Sequence, residues 1–156
     1  MQGQPQIIEV LNDILRFELT AINQYFLNAR MCHNWGYERL AKRHREISMD
    51  EMRDSEELID RILYLEGYPN LQRLNTLAVG ETPIEQIRLA MELEHTAVRN
   101  LNTAINRCLE LNDQGTREFL AGMIAEEEEH ADYWEGQLDA ISQVGEQLYL
   151  AQQLRD

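Results

Sequence analysis

The chain has 156 residues, 28 acidic and 14 basic, and a formal net charge of −14. This length suits a single domain with a sizeable apolar core, which we expect to span residues 1–156. The charge disfavours binding to nucleic acid or to an anionic membrane, because both need a basic surface, and it suits a protein that handles cations. We expect neither a membrane span nor a secretory leader. Cys32 and Cys108 form no paired motif, which indicates reduced thiols in a cytoplasmic protein.

Long amphipathic stretches predict helices along most of the chain, and no run of residues predicts a convincing strand. In chain order, the helices are expected at residues 6–35, 38–66, 82–112 and 115–143, with a short fifth helix at 146–154. Thr82 and Glu85 are spaced for a capping box at the start of the third helix, where Pro83 is well tolerated. Residues 67–81 form a long connection between two helical hairpins. The pattern predicts an all-α four-helix bundle with one long crossover and a short fifth helix.

Ionisable residues interrupt the apolar stripe of every long helix near its middle. A buried, unpaired carboxylate costs several kcal/mol, so interruptions on all these stripes require a shared compensation. The spacing repeats, because 33 residues separate the two glutamates of each hairpin and 76 residues separate equivalent positions of the two hairpins. The residues that follow this pattern are Glu18, Glu51, Asp54, Glu94, Glu127 and His130.

The repeat indicates two similar hairpins, each with one Glu on its first helix and a Glu-x-x-ligand pair on its second. Residues three positions apart share a helical face, so Glu51 can converge with Asp54, and Glu127 with His130. Carboxylates and imidazole on facing helices form di-iron carboxylate sites, in which two dications neutralise the buried charge. Any one of these residues alone is more typical of a solvated surface glutamate or a core histidine than of a metal ligand. The matched set predicts a two-metal centre.

Several motifs are more specific than a generic helical bundle. They are ELTAINQYFLNAR at 18–30, DEM at 50–52, RILYLEGYPNL at 61–71, EEEEHAD at 126–132 and a closing Gly145-x-x-x-Tyr149-Leu150. Through these motifs the chain resembles the bacterioferritin family over nearly its full length. The resemblance implies a ferritin-like bundle assembled into a hollow shell of 24 subunits, with haem b between subunit pairs. It also implies iron storage and detoxification by a ferroxidase that oxidises Fe(II) and feeds a ferric mineral inside the shell.

The resemblance also assigns roles to individual residues. Tyr25 is expected to act in catalysis beside the iron site, and Met52 to ligate haem, with Met49 one turn away as a possible rival. The iron ligands implied by the family are Glu18, Glu51, Glu94, Glu127 and His130. The remaining histidines are expected on the surface or beside the site rather than as ligands, and they are His33, His44 and His95.

Asp54 departs from the family, which typically has His at this position. In one interpretation Asp54 is a substitute metal ligand, because its carboxylate oxygen has the same reach from Cβ as an imidazole Nδ1. Its extra negative charge would then favour Fe(III) and slow turnover. In the other, the chain is a catalytically impaired, haem-binding cage subunit that co-assembles with an active partner chain. The expected partners are further copies of the chain or that second chain, and a ferredoxin-type electron donor for iron release.

Overall fold

Helices make up the regular structure of residues 1–155, the part of the chain that the computed structural model describes. Their bounds are Pro5–Trp35 (α1), Glu38–Tyr64 (α2), Pro83–Glu110 (α3), Gln114–Val144 (α4) and Glu146–Ala151 (α5). Within this range there is no strand, and no helix is long and apolar enough to cross a membrane. The all-α prediction is confirmed. The main difference is α5, which ends at Ala151 rather than at 154.

The helix ends follow from local chemistry. Gly36 directly follows α1 with a φ of 88°, a left-handed conformation that costs glycine little and that closes the short turn into α2. At the start of α3 the Thr82 hydroxyl accepts a hydrogen bond from the backbone N–H of Glu85, as the capping box predicts. The Glu85 carboxylate instead accepts from the backbone N–H of Glu81, one residue earlier than expected. The cap therefore also holds the end of the long connection.

The long connection is bound along the surface of α1. α1 packs against α2 and α3 against α4, and contacts between α1 and α3 join the two hairpins. Side chains spaced by eight and four residues on α1 accept hydrogen bonds from backbone N–H groups of the connection. These bonds join Asn12 to Asn70, Thr20 to Asn75 and Gln24 to Ala78. Because these hydrogen bonds hold the connection along α1, α3 begins beside the first hairpin and can contact α1.

The apolar core is divided into two clusters along the bundle. One cluster includes Leu11, Leu58, Leu101 and Leu120, and the other includes Tyr25, Leu40, Ile87 and Trp134. On each long helix, a glutamate of the repeat lies in sequence between residues of one cluster and residues of the other. A layer of ionisable groups is thus enclosed between two apolar regions. Since most side chains of these two regions are aliphatic and cannot form hydrogen bonds, the ionisable groups depend largely on one another.

Candidate metal centre

The structure brings together all six residues of the sequence repeat. The glutamates Glu18, Glu51, Glu94 and Glu127 are each 1% exposed, His130 is 2% exposed and Asp54 is 6% exposed. Each lies on the inward face of its helix, where three- and four-residue steps keep it in line with the core residues. Ionisable side chains with so little exposure are rare in a protein core unless they are paired or bind a metal.

The six side chains form two overlapping groups. In each group, one ligand atom per residue lies within 4.8 Å of the others. Glu51 and Glu127 belong to both groups, because they project from α2 and α4 between the remaining residues. The first group is completed by Glu18 and Asp54, and the second by Glu94 and His130. The two groups are thus candidate metal sites that have two carboxylates in common.

Every member of the two groups retains a buried polar atom without a hydrogen-bond partner among residues 1–155. These atoms are Glu18 Oε2, Glu51 Oε1, Asp54 Oδ2, Glu94 Oε2, Glu127 Oε1 and His130 Nδ1. The Nδ1 atom of His130 lies 3.2 Å from Glu51 Oε1, an ion-pair distance, but the two groups are not aligned as a hydrogen bond. Buried groups are normally hydrogen-bonded, so a set of unsatisfied ligand atoms pointing to one place is typical of a metal site.

Proximity of the carboxylates perturbs their proton affinities. Burial raises the pKa of Glu51 to about 8 and that of Glu127 to about 8. Burial, reinforced by the charge of Glu51, raises the pKa of Asp54 to about 9. Burial alone would lower the pKa of His130, but the neighbouring carboxylates of Glu127, Glu51 and Glu94 raise it well above its usual value. Without a metal, the cluster therefore retains protons that bound cations would displace.

His130 is held from its outer side as well. Its Nε2 lies 3.1 Å from Asp50 Oδ2, and Asp50 also pairs with Arg53. A carboxylate on the outer nitrogen fixes the imidazole so that Nδ1 faces Glu51, Glu94 and Glu127. Asp50, Glu126 and His130 form a third group of possible ligand atoms, which is half-buried except at His130. The Nε2 atom of His130 therefore faces the carboxylates of Asp50 and Glu126 at the outer edge of the cluster.

Tyr25 contacts the cluster at Glu94. Its hydroxyl donates a 2.5 Å hydrogen bond to Glu94 Oε1 and accepts one of 3.0 Å from Trp134 Nε1. Burial, then the charge of Glu94, raise the pKa of Tyr25 well above its usual value, so the phenol stays protonated and acts as a donor. Tyr25 therefore lies beside the candidate site, as the family resemblance implies.

Met52 lies apart from the cluster. Its side chain is 41% exposed, and that of the neighbouring Met49 is 45% exposed. Among the other histidines, His33 and His95 are on the surface, whereas His44 is fully buried. None of these three belongs to a group of metal-ligand geometry within residues 1–155.

Sequence reasoning missed two neighbours of the cluster. Trp134 lies on the apolar stripe of α4, seven residues after Glu127, and its indole N–H required a buried partner. Asp50 precedes the predicted ligand Glu51, and no periodicity of the sequence indicates that Asp50 contacts His130. Of these two contacts, only the need of the Trp134 indole N–H for a buried acceptor could have been inferred from the sequence.

Comparisons with known proteins agree with this geometry. A family model described as a ferritin-like domain matches residues 8–144. The bacterioferritin of Mycobacterium leprae is 47% identical over 152 residues, which cover 97% of this chain and 96% of the relative. Bacterioferritin BfrA of Mycobacterium tuberculosis is 45% identical over the same length, with the same coverage. The bacterioferritin of Streptomyces coelicolor is 45% identical over 151 residues, 97% of this chain and 90% of the relative.

Residues 8–144 thus define a ferritin-like protein. Within that class, identities near 45% over almost the full length show that the chain belongs to the bacterioferritin family. Bacterioferritins are multi-subunit proteins of iron storage, and the buried carboxylate and imidazole cluster is a candidate metal site consistent with that function.

Proposed function

We propose that the chain is a ferroxidase, which oxidises Fe(II) to Fe(III) at the two overlapping ligand groups and stores the product as ferric mineral. The observation that carries the proposal is the sharing of Glu51 and Glu127 by both groups. Shared carboxylates hold two substrate ions close together, so that two electrons leave the pair at once. Two electrons reduce dioxygen to hydrogen peroxide, or hydrogen peroxide to water, with protons taken from solvent.

Asp54 is proposed as a ligand of the altered centre. It is 6% exposed, and its Oδ2 atom is buried without a partner among residues 1–155. With neutral His130, two Fe(II) ions bring four positive charges to five carboxylates, whereas two Fe(III) ions bring six. The fifth carboxylate therefore stabilises the oxidised pair and slows release of Fe(III) to the mineral. The proposed consequence is a working centre with a lower turnover than one that has His at this position.

The second candidate function is a catalytically impaired cage subunit that binds haem and co-assembles with an active partner chain. The observation that favours this candidate also concerns the side chain of Asp54. Burial and neighbouring charges raise the pKa of Asp54 to about 9, so a protonated Asp54 would be a poor ligand near neutral pH. The two candidates differ in one property, which is whether the isolated chain oxidises Fe(II) rapidly.

We also propose that the protein binds haem b through Met52. The residues fit a haem edge, because Met52, Met49 and Phe26 form no part of the buried core and are 41–50% exposed. In the proposed shell of 24 subunits, the Met52 thioethers of a subunit pair would hold one haem. When bound, haem supplies a one-electron carrier, which suits iron release driven by a ferredoxin-type donor. Cys32 and Cys108 are both buried and free, which supports a cytoplasmic location.

Anaerobic Fe(II) titration of the purified single-chain protein, followed by stopped-flow oxidation, tests the proposal. We expect two Fe(II) ions per chain and a fast oxidation phase. Glu127→Ala removes a shared carboxylate and should abolish the fast phase. Glu129→Ala is the matched control, because Glu129 is on the same helix and exposed, and it should oxidise Fe(II) like the parent.

Two results would contradict the proposal. A parent protein without a fast phase, or without stoichiometric Fe(II) binding, would favour the impaired cage subunit. Unchanged fast oxidation in both Glu127→Ala and Glu94→Ala would show that oxidation occurs elsewhere in the protein.

A further inference from the structure

Three buried rings adjoin the metal cluster on the side of the second apolar region. Tyr25, His44 and Trp134 come from α1, α2 and α4, and all are fully buried. The indole of Trp134 is stacked with the Tyr25 ring at a centroid distance of 6.3 Å and with the His44 ring at 4.7 Å. The Tyr133 ring also packs edge-on against the indole, at a centroid distance of 4.8 Å, so that three rings restrict the rotation of Trp134. Its N–H direction is therefore set by the packing of three helices.

The hydrogen bonds in this group run in one direction. An indole N–H is a donor only, so the Trp134 Nε1–H must donate to the oxygen of Tyr25. Tyr25 has a single hydroxyl proton, and this proton is therefore directed to Glu94 Oε1, at 2.5 Å. A short O–H···O bond to a carboxylate is among the stronger hydrogen bonds in proteins.

This arrangement decides how Glu94 faces the metal site. Its Oε1 atom accepts the Tyr25 hydroxyl, whereas its Oε2 atom is buried and has no hydrogen-bond partner among residues 1–155. The phenol thus holds the carboxylate by one oxygen and leaves the other for a cation. If the indole donor were absent, the Tyr25 hydroxyl would lose the contact that orients its proton, and Glu94 would lose its fixed orientation.

We propose that Trp134 is a positioning residue of the metal centre, which acts through the Tyr25 hydroxyl to orient Glu94 for cation binding. The inference rests on the proposed function, since Glu94 must be a ligand for its orientation to matter. Outer-sphere partners of metal ligands typically contribute about 10–100-fold in affinity. Trp134 is one hydrogen bond further from the metal, so we expect the low end of that range.

Anaerobic Co(II) titration measures this effect without oxidation, because Co(II) reports its coordination through its visible absorption. Trp134→Phe keeps an aromatic ring in the stack and removes the N–H, and it should weaken Co(II) binding about tenfold. A second variant with 3-benzothienylalanine at position 134 replaces the N–H by sulfur at nearly unchanged shape, and it should give the same loss. The matched control is Tyr133→Phe, which alters a ring packed edge-on against Trp134 at 4.8 Å and keeps the indole donor. This control should bind Co(II) like the parent.

A double-variant cycle separates positioning from general packing. Tyr25→Phe should weaken Co(II) binding at least as much as Trp134→Phe, and the double variant should bind like Tyr25→Phe alone, because Trp134 acts only through Tyr25. Parent-like affinity with either substituted residue at 134, or additive losses in the double variant, would overturn the inference while leaving the proposed function intact. A parent that binds no Co(II) would overturn the proposed function, and this inference with it.

Discussion

The two hairpins supply equivalent ligand sets that differ at one position. α1 and α2 contribute Glu18 and Glu51 with Asp54, whereas α3 and α4 contribute Glu94 and Glu127 with His130. His130 is the one cationic group among these six residues, and its raised pKa keeps it charged while no metal is bound. Asp54 instead has a pKa raised to about 9, so it is neutral near neutral pH and supplies no positive charge in either protonation state. Charge compensation in the metal-free protein therefore comes from one hairpin alone.

The outward faces of the hairpins differ as well. The offset of 76 residues that relates Asp54 to His130 also relates Met52 to Glu128. Met52 is an exposed apolar residue of α2, whereas Glu128 is an exposed acidic residue of α4. At this pair of equivalent positions, one hairpin thus exposes an apolar side chain and the other a charged one. The inner positions of the repeat carry the clustered ionisable residues, whereas these two outer positions are exposed to solvent.

His130→Asp makes the second hairpin a copy of the first and should have the largest effect. It removes the only cation from a cluster of buried carboxylates, and breaking a buried ion pair costs about 3–5 kcal/mol. For a chain of this length such a loss lowers the Tm of the metal-free protein by roughly 10 °C. Thermal unfolding followed by circular dichroism at pH 8 provides the measurement. His95→Asp, at an exposed histidine of α3, is the control and should unfold near the parent Tm.

Metal binding should change the pH dependence of stability. Glu51 and Glu127 have pKa values raised to about 8, above those of the unfolded chain, and the pKa of His130 is raised as well. These groups therefore hold more protons in the folded protein than in the unfolded chain, and their contribution to metal-free stability is full below about pH 4.5 and is lost as pH rises through 8.

Metal binding requires deprotonated ligands, so added Co(II) should raise the Tm more at pH 8 than at pH 6. Scanning calorimetry of the metal-free and Co(II)-loaded protein across this range checks both trends. A metal-free Tm that rises between pH 6 and 8 would contradict the proton balance described for the cluster.

Asp54→His gives both hairpins the same ligand set, and it should accelerate Fe(II) oxidation several-fold. The physical reason is the loss of one negative charge, which weakens the hold of the centre on Fe(III). Asp54→Ala removes the ligand and should weaken one of the two Fe(II) sites. Stopped-flow absorbance at equal iron loading compares the three proteins. Equal rates for all three would show that Asp54 is not a ligand.

Met52→Leu should have no effect on Fe(II) oxidation, since Met52 is not part of either ligand group. It should abolish haem binding, because leucine keeps the apolar volume and lacks the thioether. We expect the parent to show a low-spin spectrum with two thioether ligands, at one haem per two subunits when fully loaded. Met49→Leu is the matched control and should retain this spectrum. Haem loss in Met49→Leu with retention in Met52→Leu would reassign the axial ligand.

Features that lie within a single helix were predictable from the sequence. A residue's position on its helix follows from 3.6-residue periodicity, so the burial of Glu18, Glu51, Glu94 and Glu127 could be inferred from apolar neighbours at three- and four-residue steps. The helix bounds were predictable within three residues, because proline, glycine and capping side chains act over one turn. The internal repeat also indicated that the two Glu-x-x-ligand pairs face each other.

Features that join different helices were decided by the tertiary structure. Neither the sharing of Glu51 and Glu127 by two groups nor the pairing of Asp50 with His130 has a signature in sequence spacing. Trp134 donates to Tyr25 across 109 residues of chain, and this contact depends on how α1 and α4 pack. Backbone hydrogen bonds determine the direction of a side chain relative to its own helix. Its partner on another helix is determined by the packing of all side chains between them, and this is known only once the bundle is assembled.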